Sequence, residues 1–334
     1  MCKVLIRGGG IAAGCCATLL RRSGIPLRVE RVERPRLPAI MLSHATQKLL
    51  CDVFQNGELF DGLHQIRKRV VAWGENSSPV VVPHSALVVS EQVLLDRLQP
   101  ETAPSDLPQS GGGAWTILTS RPLPQPSLEH HFGSRMATAS AIQLKPGSDA
   151  DACWIESLAD GWLFLVPVGT HSAWLLAVGG SVEPLLSRSL LVAEQIASAT
   201  DTAGSFPCHP RIADPLGGPG WLVCGTAALG FDPLCGDGAG HATREAILAS
   251  AVVCAAARGA DVDAVVGHYQ TRLLAGFRKH LEVCLDFYQA GHSGPWWDRQ
   301  TEEIRRGLEW TAGQLQERAP FRYRLNGFAL EAVG

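Results

Sequence analysis

Residues 4–24, VLIRGGGIAAGCCATLLRRSG, constrain the fold more than any other stretch of the chain. A short apolar run (Val4, Leu5, Ile6) breaks into three glycines, then resumes with a helical period (Ile11, Cys15, Thr18, Leu19) that stops at Gly24. That order predicts a strand, a tight turn and a helix. Gly8, Gly10 and Ala13 occupy the small-residue positions of the dinucleotide fingerprint G-x-G-x-x-G/A, and Gly14 follows them. The first makes the turn, the second lets a pyrophosphate reach the backbone, and the third lets helix and strand pack closely. The helix N-terminus then offers unsatisfied N–H groups and the positive end of its dipole to the phosphates. A glycine fingerprint alone also fits an ordinary βα turn. Its place directly after a strand and before a helix makes the dinucleotide reading the stronger one.

The rest of the composition narrows the class. At 334 residues the chain is long enough for one large or two interleaved domains. A net charge of -3 with 18% charged residues offers no basic surface for nucleic acid. Apolar runs such as residues 162–168 fall far short of the roughly 20 residues a membrane helix needs, so no membrane partner is expected. The first seven residues lack the basic and apolar segments of a secretory signal, and a cytoplasmic protein is expected. The ten cysteines include the adjacent Cys15 and Cys16 and form no C-x-x-C, so they read as reduced core residues and no metal site is expected.

Along the chain, residues 26–31 form the expected second strand. An acid near the end of that strand ordinarily bonds the ribose hydroxyls. Arg31 stands at that position, with Glu30 one residue early and Glu33 two late, and Glu30 is the candidate. A helix is expected over 44–54, a β pair over 70–73 and 80–82, a strand over 87–89, a helix over 92–98, a Pro/Ser/Gly-rich linker over 99–113 and a strand over 115–119. Residues 137–144, 153–157, 161–166 and 172–178 read as successive antiparallel strands separated by turn signals. A helix follows over 185–200. Residues 221–249, WLVCGTAALGFDPLCGDGAGHATREAILA, repeat the strand, turn, glycine loop and helix order, with the helix starting at Asp237 or Gly238. The remainder is helical, over 262–289 and 302–317, joined by 291–297.

With both glycine stretches in view, the chain resembles the FAD-dependent monooxygenase superfamily, in its tryptophan halogenase-like branch. That superfamily pairs an N-terminal GGGxAG turn with a late G-D-A-A segment and D-P-x-x-x-x-G. Here these read Gly8-Gly9-Gly10-Ile11-Ala12-Ala13, then Gly225-Thr226-Ala227-Ala228, then Asp232-Pro233-Leu234-Cys235-Gly236-Asp237-Gly238. Residues 161–167, GWLFLVP, resemble the halogenases' G-W-x-W-x-I-P. The run FDPLCGDG, REAIL after it and Trp296-Trp297 further on look most like flavoproteins that mature peptide-derived quinone cofactors by hydroxylating a protein tryptophan.

The resemblance implies an α/β fold: a Rossmann-like FAD-binding domain over 1–75 and 205–260, a mainly β, antiparallel substrate domain over 76–204, and a helical C-terminal region over 261–334. It implies FAD as cofactor and a monooxygenase that attacks an aromatic, indole-type substrate through a flavin hydroperoxide. That substrate is a small molecule or a tryptophan within a peptide or protein. No nicotinamide fingerprint is visible, which leaves room for a partner flavin reductase. The departures are as informative. Thr226 replaces the superfamily's aspartate, Phe164 replaces the second tryptophan of the halogenase motif, and the halogenases' lysine has no counterpart. A halogenase and a noncatalytic nucleotide-fold scaffold therefore stay open as alternatives.

The resemblance and the glycine pattern together assign candidate roles. Gly8, Gly10, Ala13, Gly14, Glu30, Thr226, Asp232, Gly236 and Gly238 are candidates for holding FAD. Asp232 before a proline also reads as a turn-capping residue. His241, about one turn into the helix, is the candidate acid or base near neutral pH, although a lone helical histidine also reads as structural. Trp162, Phe164, Trp296 and Trp297 are candidate substrate contacts, with core packing as the alternative for each. His130-His131 beside Glu129 reads as a solvated loop.

Overall fold

The computed structural model describes residues 3–98, 114–235, 237–318 and 321–333. The expected linker at 99–113 and Gly236 lie outside the described residues.

The glycine turn runs from β1 (Lys3–Arg7) into α1 (Ile11–Arg22), and β2 (Leu27–Glu30) pairs parallel to β1. There follow β3 (Ile40–Ser43), α2 (His44–Phe54), the hairpin β4 (His64–Ala72) and β5 (Val80–Val89), and α3 (Glu91–Arg97). β6 (Ala114–Leu118) joins the other side of β1, also parallel. After β7 (Leu128–His131) come β8 (Met136–Leu144), β9 (Ala152–Leu158), β10 (Gly161–Pro167) and β11 (Ser172–Val178). Next are α4 (Val182–Leu186), β12 (Ile196–Pro207), β13 (Arg211–Asp214), β14 (Gly217–Gly218), β15 (Trp221–Val223) and β16 (Leu229–Gly230). The chain closes with α5 (Gly238–Ala257), α6 (Val262–Gln289), α7 (Pro295–Gln316) and the hairpin β17 (Tyr323–Asn326) and β18 (Ala329–Ala332).

Two sheets organise these elements. The five-stranded sheet has the order β14-β15-β6-β1-β2, with β15, β6, β1 and β2 parallel. β1 thus has β2 on one side and β6 on the other, a topological switch point whose crevice lies beyond the strands' C-terminal ends. The eight-stranded sheet has the order β12-β8-β11-β10-β9-β4-β5-β3 and is antiparallel except where β4 meets β9. α5 is buried along most of its length, as a helix apolar all round must be, and packs on α1 with the Cys16 thiol 3.7 Å from the Ala246 carbonyl. Among the described residues no helix is long and apolar enough to cross a membrane, and no cluster of His, Cys, Asp and Glu has a metal-binding arrangement.

Three expectations are corrected. The helix expected over 185–200 is absent: α4 ends at Leu186 and β12 begins at Ile196. The cause is tertiary, because the buried Glu156 carboxylate of β9 accepts the N–H groups of Leu190, Leu191 and Val192 at 2.8 to 3.1 Å and the Ser189 hydroxyl. Those N–H groups therefore need no helix. The boundaries drawn at 75/76 and 204/205 do not follow the sheets, since β6 lies inside the five-stranded sheet while β3 and β4 belong to the eight-stranded one. The last long helix begins at Pro295 rather than at 302, with Gly294 as N-cap, which moves Trp296 and Trp297 from a loop into a first helical turn.

Candidate active site

The C-terminal ends of the parallel strands converge on one cavity of about 450 Å³. Gly9, Gly10 and the first α1 residues, Ile11 and Ala12, line it after β1; Thr119 and Ser120 line it after β6, and Gly225 and Thr226 after β15. Gly8 turns the chain at φ 140°, and any β-carbon there would collide with the Thr119 hydroxyl. Gly10 is the N-cap of α1 and supplies no side-chain cap, so the helix's first N–H groups remain for a ligand. Arg34 reaches the same turn, its Nη2 3.2 Å from where a β-carbon on Gly10 would stand. Its guanidinium makes a two-pronged ion pair with Glu91, which is 2% exposed, with Nη1 2.9 Å from Oε2.

The cavity continues past Phe231, Asp232, Pro233, Asp237, Gly238 and Ala239 to the eight-stranded sheet, where Phe164 and Val166 of β10 and Trp174 and Leu176 of β11 form an apolar wall with Phe206. Val166 and Trp174 are direct cross-strand partners, as are Phe164 and Leu176. Asp232 is anchored from behind. Its Oδ2 accepts Arg135 Nε–H at 3.0 Å and the Tyr288 hydroxyl at 2.9 Å, its Oδ1 accepts the Leu234 N–H at 3.0 Å, and its own N–H donates to His280 Nε2 at 2.9 Å. Asp232 therefore caps the turn before α5 and lines the cavity at once. Asp237 is held by the Thr46 hydroxyl at 2.6 Å and by Arg244.

Several candidates from the sequence lie elsewhere. Glu30 does not line the cavity: its carboxylate pairs with Arg7 at 3.4 Å, and only its carbonyl meets the glycine turn, accepting Gly8 N–H at 2.9 Å. Ala13 is buried against the sheet, and Gly14 closes the first helical turn by donating to Gly10 O at 3.1 Å. His241 sits off the cavity, stacked on Phe231 with ring centroids 3.9 Å apart. Burial, with Arg244 and His280 near, pushes its imidazole down to about 4, so it is neutral near pH 7 and lacks the imidazolium form of a general acid there. Trp162 is fully buried and donates to the Tyr288 hydroxyl at 3.2 Å. Trp297 is 1% exposed and donates to Leu158 O at 2.9 Å, with Trp296 edge-on at 4.9 Å. Both form part of an aromatic cluster with Trp73 and Tyr288, not of the cavity wall. Gly8 turns the chain behind the cavity, whereas Gly10, Phe164, Thr226, Asp232 and Gly238 line it.

The sequence reading missed Arg34, Glu91, Trp174, His209 and Glu245, all of which line the cavity. His130 and His131 belong to β7 instead of a loop, and His131 Nδ1 lies 2.9 Å from His209 Nε2. Strand alternation on β11 could have put Trp174 on the Phe164 side; no local pattern marks the others.

The uncapped α1 N-terminus, the bare Gly9 and Gly10 and the Arg34 guanidinium form a donor set suited to a dinucleotide's diphosphate. No protein-family model matches the sequence, and no curated protein matches it. Solved structures do match the fold. The peptidyl tryptophan dihydroxylase QhpG, essential for tryptophylquinone cofactor biogenesis, superposes with TM-score 0.72 at 19% identity over 99% of this chain and 86% of its own. The flavin-dependent halogenase CmlS gives TM-score 0.75 at 17% identity over 94% and 71%. HpxO of Klebsiella pneumoniae, complexed with FAD, gives 0.61 at 15% identity over 94% and 93%. The chain shares the fold of these three proteins.

Proposed function

We propose that the chain is an FAD-dependent monooxygenase that hydroxylates an electron-rich aromatic ring, of indole type, borne by a small molecule or by a tryptophan in a peptide or protein. The observation that carries this reading is the single cavity that joins the glycine turn to the Phe164, Trp174 and Leu176 wall. One end suits a dinucleotide's phosphates and the other a flat apolar ring. The relatives by fold include enzymes described as acting on peptidyl tryptophan and as halogenating.

When bound, FAD supplies the oxygen-activating redox chemistry, and the chain's own residues bind, orient and exclude water. Gly9, Gly10 and the α1 N-terminus would hold the diphosphate with Arg34, and Gly225, Thr226 and the Asp232–Gly238 loop would hold the remainder. Asp232, locked by Arg135 and Tyr288, fixes the loop ahead of α5. Phe164, Trp174, Leu176 and Phe206 would place the aromatic substrate and keep that end dry. Electrons would come from a partner flavin reductase or transient reductant.

A second reading, a noncatalytic scaffold on the same fold, is favoured by one observation. Glu91 places a buried carboxylate beside Gly10, with Oε1 3.8 Å from where its β-carbon would stand. An absorbance spectrum of purified protein with and without added FAD separates the two. The enzyme reading expects flavin bands that persist through desalting and, after reduction, reoxidation accelerated by an indole-bearing peptide. A colourless protein whose melting temperature ignores FAD supports the scaffold instead.

A further inference from the structure

We propose that Glu245 is a ligand-facing carboxylic acid, donating its O–H hydrogen to an oxygen of the bound dinucleotide where diphosphate meets sugar chain, so that cofactor affinity depends on its protonation. This rests on the cofactor reading above.

The turn after β15 and the first turn of α1 approach so closely that a β-carbon on Gly225 would stand 2.8 Å from Ala12 Cβ. Glu245 rises from α5 into this junction, is 6% exposed, and lines the cavity beside Ala12, Gly225 and Thr226. Its Oε2 accepts the Gly225 N–H at 2.7 Å. The cavity wall at this junction is otherwise backbone, alanine and a threonine.

The groups facing Glu245 are Cys16 of α1, Cys224 at the end of β15 and Tyr269 of α6, none of them cationic. The Tyr269 hydroxyl is spent on Val223 O at 2.7 Å. The nearest cation is Arg244, next to it in sequence, and that guanidinium pairs with Asp237. A carboxylate buried without a counter-charge is costly, so the acid stays protonated. Burial accordingly pushes the Glu245 carboxyl up to about 8.

Hydrogen-bond accounting then places the proton. Oε2 is already an acceptor for Gly225 N–H, so in this proposal the O–H sits on Oε1 and is the group Glu245 offers to the cavity it lines. A neutral carboxylic acid there can donate to a phosphate or hydroxyl oxygen. Its ionised form would repel a diphosphate bound at the α1 N-terminus, which lines the same cavity.

The test is FAD affinity, read by flavin fluorescence quenching, from about pH 6.5 to about pH 9 for wild type and Glu245→Gln, with circular dichroism to confirm folding. If only the protonated form binds, the dissociation constant rises up to about tenfold per pH unit above the free protein's value. The expected result is such a rise above about 8 in wild type, and a flat profile in Glu245→Gln, whose amide keeps an acceptor for Gly225 and a donor for the cavity. Calorimetry of wild type in two buffers of different ionisation enthalpy supplies a measurement independent of any variant's folding: net proton uptake on FAD binding at about pH 9 is expected. FAD binding without proton uptake, or with the wild-type pH profile in Glu245→Gln, overturns this proposal alone. No FAD binding at any pH overturns the cofactor reading and this proposal with it.

Discussion

Arg135 and Asp232 form an ion pair in which neither side chain has any exposed surface, with Nε 3.0 Å from Oδ2. Arg135 comes from the segment leading into β8 and Asp232 from the loop leading into α5, so the pair ties the eight-stranded sheet to the loop ahead of α5. Gln300 of α7 accepts Arg135 Nη1–H at 3.0 Å, and the guanidinium lies 4.5 Å from the Tyr288 ring centroid. Asp232→Asn leaves that buried cation without a counter-charge. Urea unfolding should show a loss of about 3–5 kcal/mol.

Gly10→Val tests the glycine turn with the fold preserved. Gly10 has φ -101° and ψ -169°, extended backbone that valine adopts readily, so circular dichroism should be unchanged. The branched side chain would fill the space between Arg34 and the α1 N-terminus. FAD affinity should fall by more than about 3 kcal/mol, over a hundredfold in the dissociation constant.

Trp174 and Trp162 should separate cleanly. Trp174→Ala removes part of the cavity wall and should raise KM for an aromatic substrate about tenfold, with little change in FAD affinity. Trp162→Phe removes a core hydrogen bond to Tyr288. It should lower stability by about 1–3 kcal/mol and leave KM unaltered. Steady-state kinetics and a melt on the same preparations check both.

His241 gives a stability signature in pH. Its folded value is about 4 against an ordinary 6.5. Between these the unfolded chain binds the extra proton, so stability rises with pH across the window and is lost as pH falls from about 6.5 to about 4. Below that both states are protonated and the term stops changing. The loss should be about 3 kcal/mol, and His241→Phe, which keeps the stacking on Phe231, should abolish it. Turnover in that variant should match wild type, because His241 does not line the cavity.

Glu156 should prove structural and disproportionately important. Glu156→Ala leaves the N–H groups of Leu190, Leu191 and Val192 and the Ser189 hydroxyl without their acceptor. A stability loss of about 3 kcal/mol is expected, with limited proteolysis between α4 and β12 faster than in wild type.

What was legible in the sequence is what is encoded locally. The strand, glycine turn and helix at residues 3–22, the four strands β8 to β11 and the glycine loop entering α5 follow from apolar period and turn residues, which act over a few neighbours. The same patterns carried Gly10, Thr226, Asp232 and Gly238 to the cavity, because turns at the ends of parallel strands must face the crevice. The sequence by itself therefore determined the fold class and which turns line the cavity.

Tertiary structure alone decided which side chains face that place. Phe164 and Trp162 share a face of β10, yet only Phe164 meets the cavity, because Tyr288 of α6 covers Trp162. Trp296 and Trp297 sit in a Gly-Pro stretch until α7 starts at Pro295 and folds Trp297 onto Leu158 and Trp73 and Trp296 beside Tyr288. His241 turns behind Phe231, Glu30 is taken by Arg7, and a helix expected at 185–200 yields to one carboxylate from β9. Glu245 carries no local signal at all: it becomes a cavity acid only because α5 packs on α1 beneath the Gly225 turn. Each outcome turns on a partner distant in the chain, where burial and the need to pair every polar group outweigh the local pattern.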